Sequence, residues 1–351
     1  MRYKLLGRSG LRVSELALGT MTFGEAWGWG APKDDSRRIF DRFAEAGGNF
    51  IDTANRYTDG HAEEFVGEFI AADRDHFVVA TKYSLSMNPA DPNASGNQRK
   101  NMIRALEASL KRMNTDYVDL YWLHAWDYTT PVDEIMRAFD DLVTSGKVMY
   151  IGISDSPAWV IARAQTLAEL RGWAPFIGLQ IEYSLVQRDP ERDLLPMARA
   201  LDIGVAAWSP LGGGVLTGKY NRQTDEARRM RGTSERNLTI AAALGQIADD
   251  IGRPPTQVAI NWVRQQTSVP SSPVNAPSHT PIIPILGARK FDQFAQNLGC
   301  LEFELTAEQV ARLNEISQIE LGWPHDFLTA EGVRRMVYGN SASTLDNHHR
   351  A

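Results

Sequence analysis

Short runs rich in β-branched and aromatic residues alternate along this chain with longer runs whose apolar positions recur at helical spacing. Residues 15–21, ELALGTM, are followed by 34–48, where Ile39, Phe40, Phe43 and Ala44 share one helical face and Gly47 and Gly48 end the pattern. Further strands are predicted at 49–54, 77–84, 117–124, 148–154, 176–183, 205–211 and 281–288. Helices are predicted between and after them, at 61–72, 97–113, 131–147, 157–170, 191–204, 237–252, 255–266 and 290–299. Strands alternating with helices predict parallel units joined by right-handed crossovers, and eight such units close into an α/β fold, the (β/α)8 TIM barrel. A doubly wound sheet would carry a glycine fingerprint directly after its first strand. Gly19, Gly24, Gly28 and Gly30 have neither that spacing nor an immediate helix.

Four segments stand outside the repeat. Residues 3–14 read as a β-hairpin before the first barrel strand, placed to plug the lower end. Long loops follow the first strand and the seventh (212–232), and a Pro/Ser-rich loop at 267–280 precedes the eighth. Regular patterning runs to about residue 320, so a single domain over 1–351 with an irregular tail at 321–351 is expected.

Composition narrows the class. Hydrophobic residues make up 43% and charged residues 23%, ordinary for a soluble enzyme. The formal net charge of −6, with no long run of one sign, argues against nucleic acid or an anionic membrane as partner. The one cysteine, Cys300, excludes an internal disulfide and a Cys-based zinc site, and no histidines have ligand spacing within a helix, so no metal is expected. No signal-peptide or membrane-spanning run is evident, and the expected location is cytoplasmic.

In a parallel barrel, reactive groups collect at the C-terminal ends of the strands. Asp52 ends the second strand, Lys82 lies near the end of the third, His124 ends the fourth, and Tyr57 follows the second in a loop. Singly, these residues read as a capping carboxylate, a snorkelling lysine, a buried histidine bonded to backbone and a surface phenol. Together, at one end of neighbouring strands, they suit proton transfer to a carbonyl. A phenol ionises near pH 10, an adjacent ammonium favours the phenolate, and a carboxylate holds the ammonium in place. His124 could orient the carbonyl oxygen or relay a proton. The four groups supply no hydride donor, so a cofactor is required.

The segments NFIDTANRY, VVATK, DLYWLH, YIGIS, GLQIEYSL, AAWSPLGGGVLTGKY and PILGARKFDQFAQNLG together resemble the aldo-keto reductase superfamily, its aryl-alcohol dehydrogenase-like and sugar-active branches above all, over residues 3–316. The resemblance implies a catalytic tetrad of Asp52, Tyr57, Lys82 and His124, with Tyr57 as general acid and Lys82 depressing its pKa. It also implies NADPH bound without a Rossmann domain. Ser154, Asp155 and Gln180 would hold the nicotinamide carboxamide and Trp208 would stack on its ring. Ser209, Leu211, Gly213 and Lys219 would line the pyrophosphate site, and Gly287, Arg289, Gln293 and Asn297 the adenosine phosphate. Arg289 precedes a helix whose N-terminus disfavours a cation, a penalty that a bound phosphate reverses; NADPH is therefore preferred to NADH. The glycines of GGGVLTG would let backbone amides approach an anion. Asp155 departs from the family, which often has Asn there; an ionised carboxylate accepts but cannot donate.

Trp27 and Trp29 after the first strand, and Trp126 and Tyr128 after the fourth, suit a bulky or aromatic carbonyl substrate, or pack on one another. Two other functions fit the same residues: an NADPH-binding regulatory subunit of a channel with slow turnover, and a barrel lyase or isomerase using Lys82 as a Schiff-base amine.

Overall fold

A computed structural model of the chain describes residues 1–218, 234–266, 280–341 and 344. It opens with strands β1 (Tyr3–Leu5) and β2 (Arg12–Ser14), an antiparallel pair with Lys4 opposite Val13. The barrel strands follow as β3 (Ala17–Gly19), β4 (Phe50–Asp52), β5 (Val78–Tyr83), β6 (Val118–Leu123), β7 (Val148–Ser154), β8 (Phe176–Glu182), β9 (Gly204–Trp208) and β10 (Ile282–Leu286). Each pairs in parallel with the next, and β10 returns to β3 to close the ring. The eight-stranded barrel expected from the alternation is the fold.

Around it lie α1 (Lys33–Glu45), α2 (His61–Ile70), α3 (Arg99–Met113), α4 (Val132–Thr144), α5 (Ala158–Arg171), α6 (Leu194–Ala200), α7 (Glu235–Asp250), α8 (Pro255–Gln265) and α9 (Phe291–Leu298). Helix α6 is shorter than the predicted 191–204. Pro196 lacks an N–H and is tolerated only in the first turn, so the helix cannot reach back to 191. The sequence pattern missed α10 (Ala307–Ile316) and placed no order in the tail, where α11 (His325–Thr329) and α12 (Glu331–Tyr338) form. These tail helices bury no residue, and their apolar side chains Phe327, Leu328, Met336 and Val337 are exposed. Lys219, most of the loop after β9 and the segment 267–279 lie outside the described residues.

The hairpin occupies the lower end as expected. Leu6 and Val13 are buried in one cluster with Phe50, Val78, Leu120, Trp122 and Ile177 from the strands. A side chain at Gly7 would collide with the Ile177 carbonyl oxygen at 2.4 Å, so the hairpin turn sits directly against the barrel. Above this plug the interior is filled by one indole. Trp122 is fully buried, and Gly152 and Gly178 on the next two strands are its complement: a Cβ on either would meet the ring at 2.3 and 2.7 Å.

Candidate active site

Side chains alternate in and out along a strand, so the parity of the apolar interior dictates which polar residues face inward. Phe50, Ala80, Trp122, Gly152, Gly178 and Ala206 are inward residues of β4 to β9. Two positions further along each strand stand Asp52, Lys82, His124, Ser154, Gln180 and Trp208. One layer of side chains at the C-terminal ends of the strands is therefore polar, above an apolar floor.

Within that layer Lys82 is fully buried and donates three hydrogen bonds: to Asp52 Oδ2 at 2.5 Å, to the Thr53 carbonyl at 2.8 Å and to Tyr57 Oη at 3.0 Å. An ammonium has three protons, and each is committed. Because Lys82 donates to Tyr57, the phenol proton must point elsewhere. Burial acts to lower the Lys82 pKa, but Asp52 and then Tyr57 outweigh it, and the net shift is upward. A lysine held as an ammonium is no free amine, which argues against Schiff-base chemistry. The other oxygen of Asp52 accepts from Gln180 Nε2 at 2.8 Å.

Lys82 acts to lower the Tyr57 pKa, as the resemblance implies, but it does not act alone. Burial raises it, the Lys82 ammonium offsets this only in part, and the net direction is up. Lys82 thus moderates a rise that burial would otherwise make larger. The rings of Tyr57 and His124 meet edge to face, centroids 5.8 Å apart. Burial, and then repulsion from Lys82, lower the His124 pKa to about 3, so its ring is neutral near pH 7. A neutral imidazole can donate one N–H to a carbonyl oxygen, but it is not the protonated form a relay would begin from.

The shift at His124 has a consequence for stability. Its folded pKa lies below the unfolded value of 6.5, so the unfolded chain binds the extra proton, and this contribution is lost as pH falls from 6.5 toward about 3. We expect the wild type to lose on the order of 2 kcal/mol more than His124→Gln between pH 7 and 5. Urea melts at the two pH values check this; equal losses would mean that His124 does not stay neutral in the fold.

At the ends of β7 to β9, Ser154 and Gln180 are register neighbours. The Ser154 hydroxyl is near enough to Asp155 to favour its ionised form, yet makes no well-formed hydrogen bond. Asp155 Oδ1 accepts from Trp208 Nε1 at 3.2 Å, a contact the sequence did not suggest, which ties the departing carboxylate to the expected stacking ring. Burial raises the Asp155 pKa, with that indole bond and Lys82 opposing. His124 Nδ1, Asn55 Oδ1 and Thr53 Oγ1 are likewise buried without a partner among the described residues. Sequence reasoning gave Asn55 and Thr53 no role; only the folded layer shows that they border the site.

Beside this layer runs a cleft of about 380 Å³ between the ends of β9 and β10, lined in part by Ser209, Leu211, Gly213, Gly287, Arg289, Gln293 and Asn297. Those are the described residues expected at the phosphates, brought to one place. Thr22, Pro210 and Gly214 also line it and were not foreseen. Gln293 and Asn297 are one turn apart on α9, and Arg289 is exposed just before that helix. Side chains added at Gly213 would meet nothing within 4 Å, and at Gly287 only the Gly19 carbonyl oxygen at 3.4 Å, so backbone can approach a ligand there. The glycine turn itself differs from expectation. The amides of Gly212, Gly213 and Gly214 donate to Ser209 O, Ser209 Oγ and Leu211 O, so these three are already committed.

The four rim aromatics form two pairs. Trp27 and Trp29 lie with ring centroids 5.6 Å apart, Trp126 and Tyr128 with 6.3 Å. Tyr128 is 77% exposed, while the Trp126 indole N–H is buried without a partner among the described residues. Among the described residues no cluster of side chains could hold a metal ion, and no helix is long and apolar enough to cross a membrane.

Comparison with known proteins places these features. The profile described as "Aldo/keto reductase family" matches residues 15–318. The norsolorinic acid reductase of Aspergillus flavus is 35% identical, covering 92% of this chain and 83% of that protein. The aryl-alcohol dehydrogenase [NADP(+)] of Phanerodontia chrysosporium is 35% identical over 96% of this chain and 91% of its own. An aryl-alcohol dehydrogenase of Pestalotiopsis microspora is 36% identical over 99% and 90%.

Proposed function

The chain belongs to the aldo/keto reductase family and is an oxidoreductase, and from that premise we propose that it interconverts a bulky or aromatic carbonyl compound and its alcohol, with NADPH as reductant. The observation that carries this reading is the commitment of all three Lys82 protons, one of them to Tyr57 Oη.

The residues present suit the dinucleotide. Ser154 and Gln180 offer unpartnered polar atoms side by side for an amide, Trp208 offers a ring, and the cleft with Arg289, Gln293 and Asn297 suits phosphate. When bound, NADPH supplies the hydride for the carbonyl carbon. The work of the chain is to manage the oxygen. Tyr57 donates its phenol proton to that oxygen as negative charge develops, and the Lys82 ammonium stabilises the phenolate left behind. Asp52 holds the ammonium charged and aimed. His124, neutral, donates one N–H to the same oxygen and fixes its position. In alcohol oxidation Tyr57 takes the proton back. The aromatic pairs at the rim supply apolar walls for a ring-bearing substrate, in keeping with the names of the relatives.

The test is oxidation of NADPH in the presence of an aromatic aldehyde, followed by loss of the reduced-nicotinamide absorbance. Turnover supports the reductase; tight NADPH binding without turnover on a panel of aldehydes and ketones would favour a regulatory binding subunit. Arg289→Ala should weaken NADPH binding about tenfold to a hundredfold while leaving NADH nearly unchanged, since a guanidinium on phosphate forms charge-assisted bonds that NADH lacks the group to accept. Equal losses in fluorescence titrations would show that Arg289 does not read the extra phosphate.

A further inference from the structure

Asp52 is buried, and each of its oxygens is bound by a different strand: Oδ2 by Lys82 of β5 and Oδ1 by the side-chain amide of Gln180 on β8. A carboxylate beside an ammonium only accepts, so it can be satisfied by the NH2 end of Gln180 and never by the carbonyl end. The orientation of the Gln180 amide is therefore dictated by Asp52. Its other atom, Oε1, accepts no hydrogen bond from a described residue and is not among the buried, unpartnered atoms, so it keeps some accessible surface. Beside it in register stands Ser154, whose hydroxyl lacks a well-formed bond.

We propose that Asp52, besides holding Lys82, is the residue that sets the polarity of the cofactor pocket: by fixing Gln180 with Oε1 outward it makes that position an acceptor, matched to the NH2 of a carboxamide. This rests on the reading of the site as an NADPH pocket. Asp52 touches no ligand in this role. It acts through Gln180 and is a positioning residue for the cofactor.

The test follows from what Asn would do at the same place. In Asp52→Asn, the carbonyl oxygen of the new amide turns to the Lys82 ammonium, and its NH2 then faces Gln180. Gln180 must invert to accept from it, and its own NH2 is left facing the carboxamide NH2. NADPH binding to the variant, measured by quenching of tryptophan fluorescence, should weaken about tenfold to a hundredfold, the effect of opposing two donors in a buried site. Gln180→Met should weaken it similarly, and Asp52→Asn/Gln180→Met no further than either change alone. Unchanged NADPH affinity in folded Asp52→Asn, or losses that multiply in the double variant, would overturn the proposal.

Gln180→Glu gives a second test that leaves Asp52 and Lys82 in place. When protonated, the new carboxyl donates O–H to Asp52 and presents a carbonyl outward, reproducing Gln180; when ionised it repels Asp52 and can donate nothing. NADPH affinity of this variant should stay near wild type at low pH and fall as pH rises, with a titration the wild type lacks. A pH-independent affinity would overturn the proposal. Failure of the wild type itself to bind NADPH would instead remove the reading beneath it, and the proposal with it.

Discussion

Tyr57→Phe should lower kcat by about a thousandfold, within the range for loss of a positioned general acid, while NADPH affinity stays within about twofold of wild type. The substitution removes one oxygen and keeps the ring that packs edge-on against His124. Lys82 loses one of its three acceptors but keeps Asp52 and the Thr53 carbonyl, so the ammonium stays anchored. The loss should therefore fall on the chemical step. Single-turnover reduction with NADPH prebound separates that step from binding. A variant that reduces its aldehyde at the wild-type rate would remove Tyr57 from the acid role.

Lys82→Met is expected to abolish measurable turnover and also to destabilise the fold, by about 3–5 kcal/mol. The side chain is wholly buried, and its removal strands the Asp52 carboxylate with only the Gln180 amide as donor. Asp52→Asn/Lys82→Met removes the stranded charge and should recover part of that stability while remaining inactive. Denaturant melts of the two variants beside wild type check both statements. A double variant less stable than Lys82→Met would mean that the pair is not held as an ammonium and a carboxylate.

Much of this site can be traced to alternation in the strands. In VVATK, Val78 and Ala80 face inward, which carries Lys82 inward with them; in DLYWLH, Leu120 and Trp122 do the same for His124. A reader of the sequence needs only that parity and the direction of the strands to put Asp52, Lys82, His124, Ser154 and Gln180 in one layer. Parity does not reveal which atoms meet across the barrel. The bond from Gln180 to Asp52 joins residues 128 positions apart, and the bond from Trp208 to Asp155 joins two groups assigned separate contacts. The effect of Lys82 on Tyr57 was legible and the net direction of its pKa was not, because an ammonium neighbour is visible in a motif whereas depth of burial is not. The glycine turn was legible in part for a related reason: a glycine run signals backbone freedom but not that the amides of Gly212, Gly213 and Gly214 donate within the turn.

The indole of Trp122 seals the barrel beneath the polar layer, and the N-terminal hairpin closes the end below it. Among the described residues the chamber is therefore closed from below. With Trp122 and the hairpin filling the barrel underneath, the phenol of Tyr57 meets solvent from the side of the rim. Under the proposed function, whatever occupies the rim would then time the resetting of the acid, and departure of the alcohol and reprotonation of Tyr57 would be successive uses of that passage.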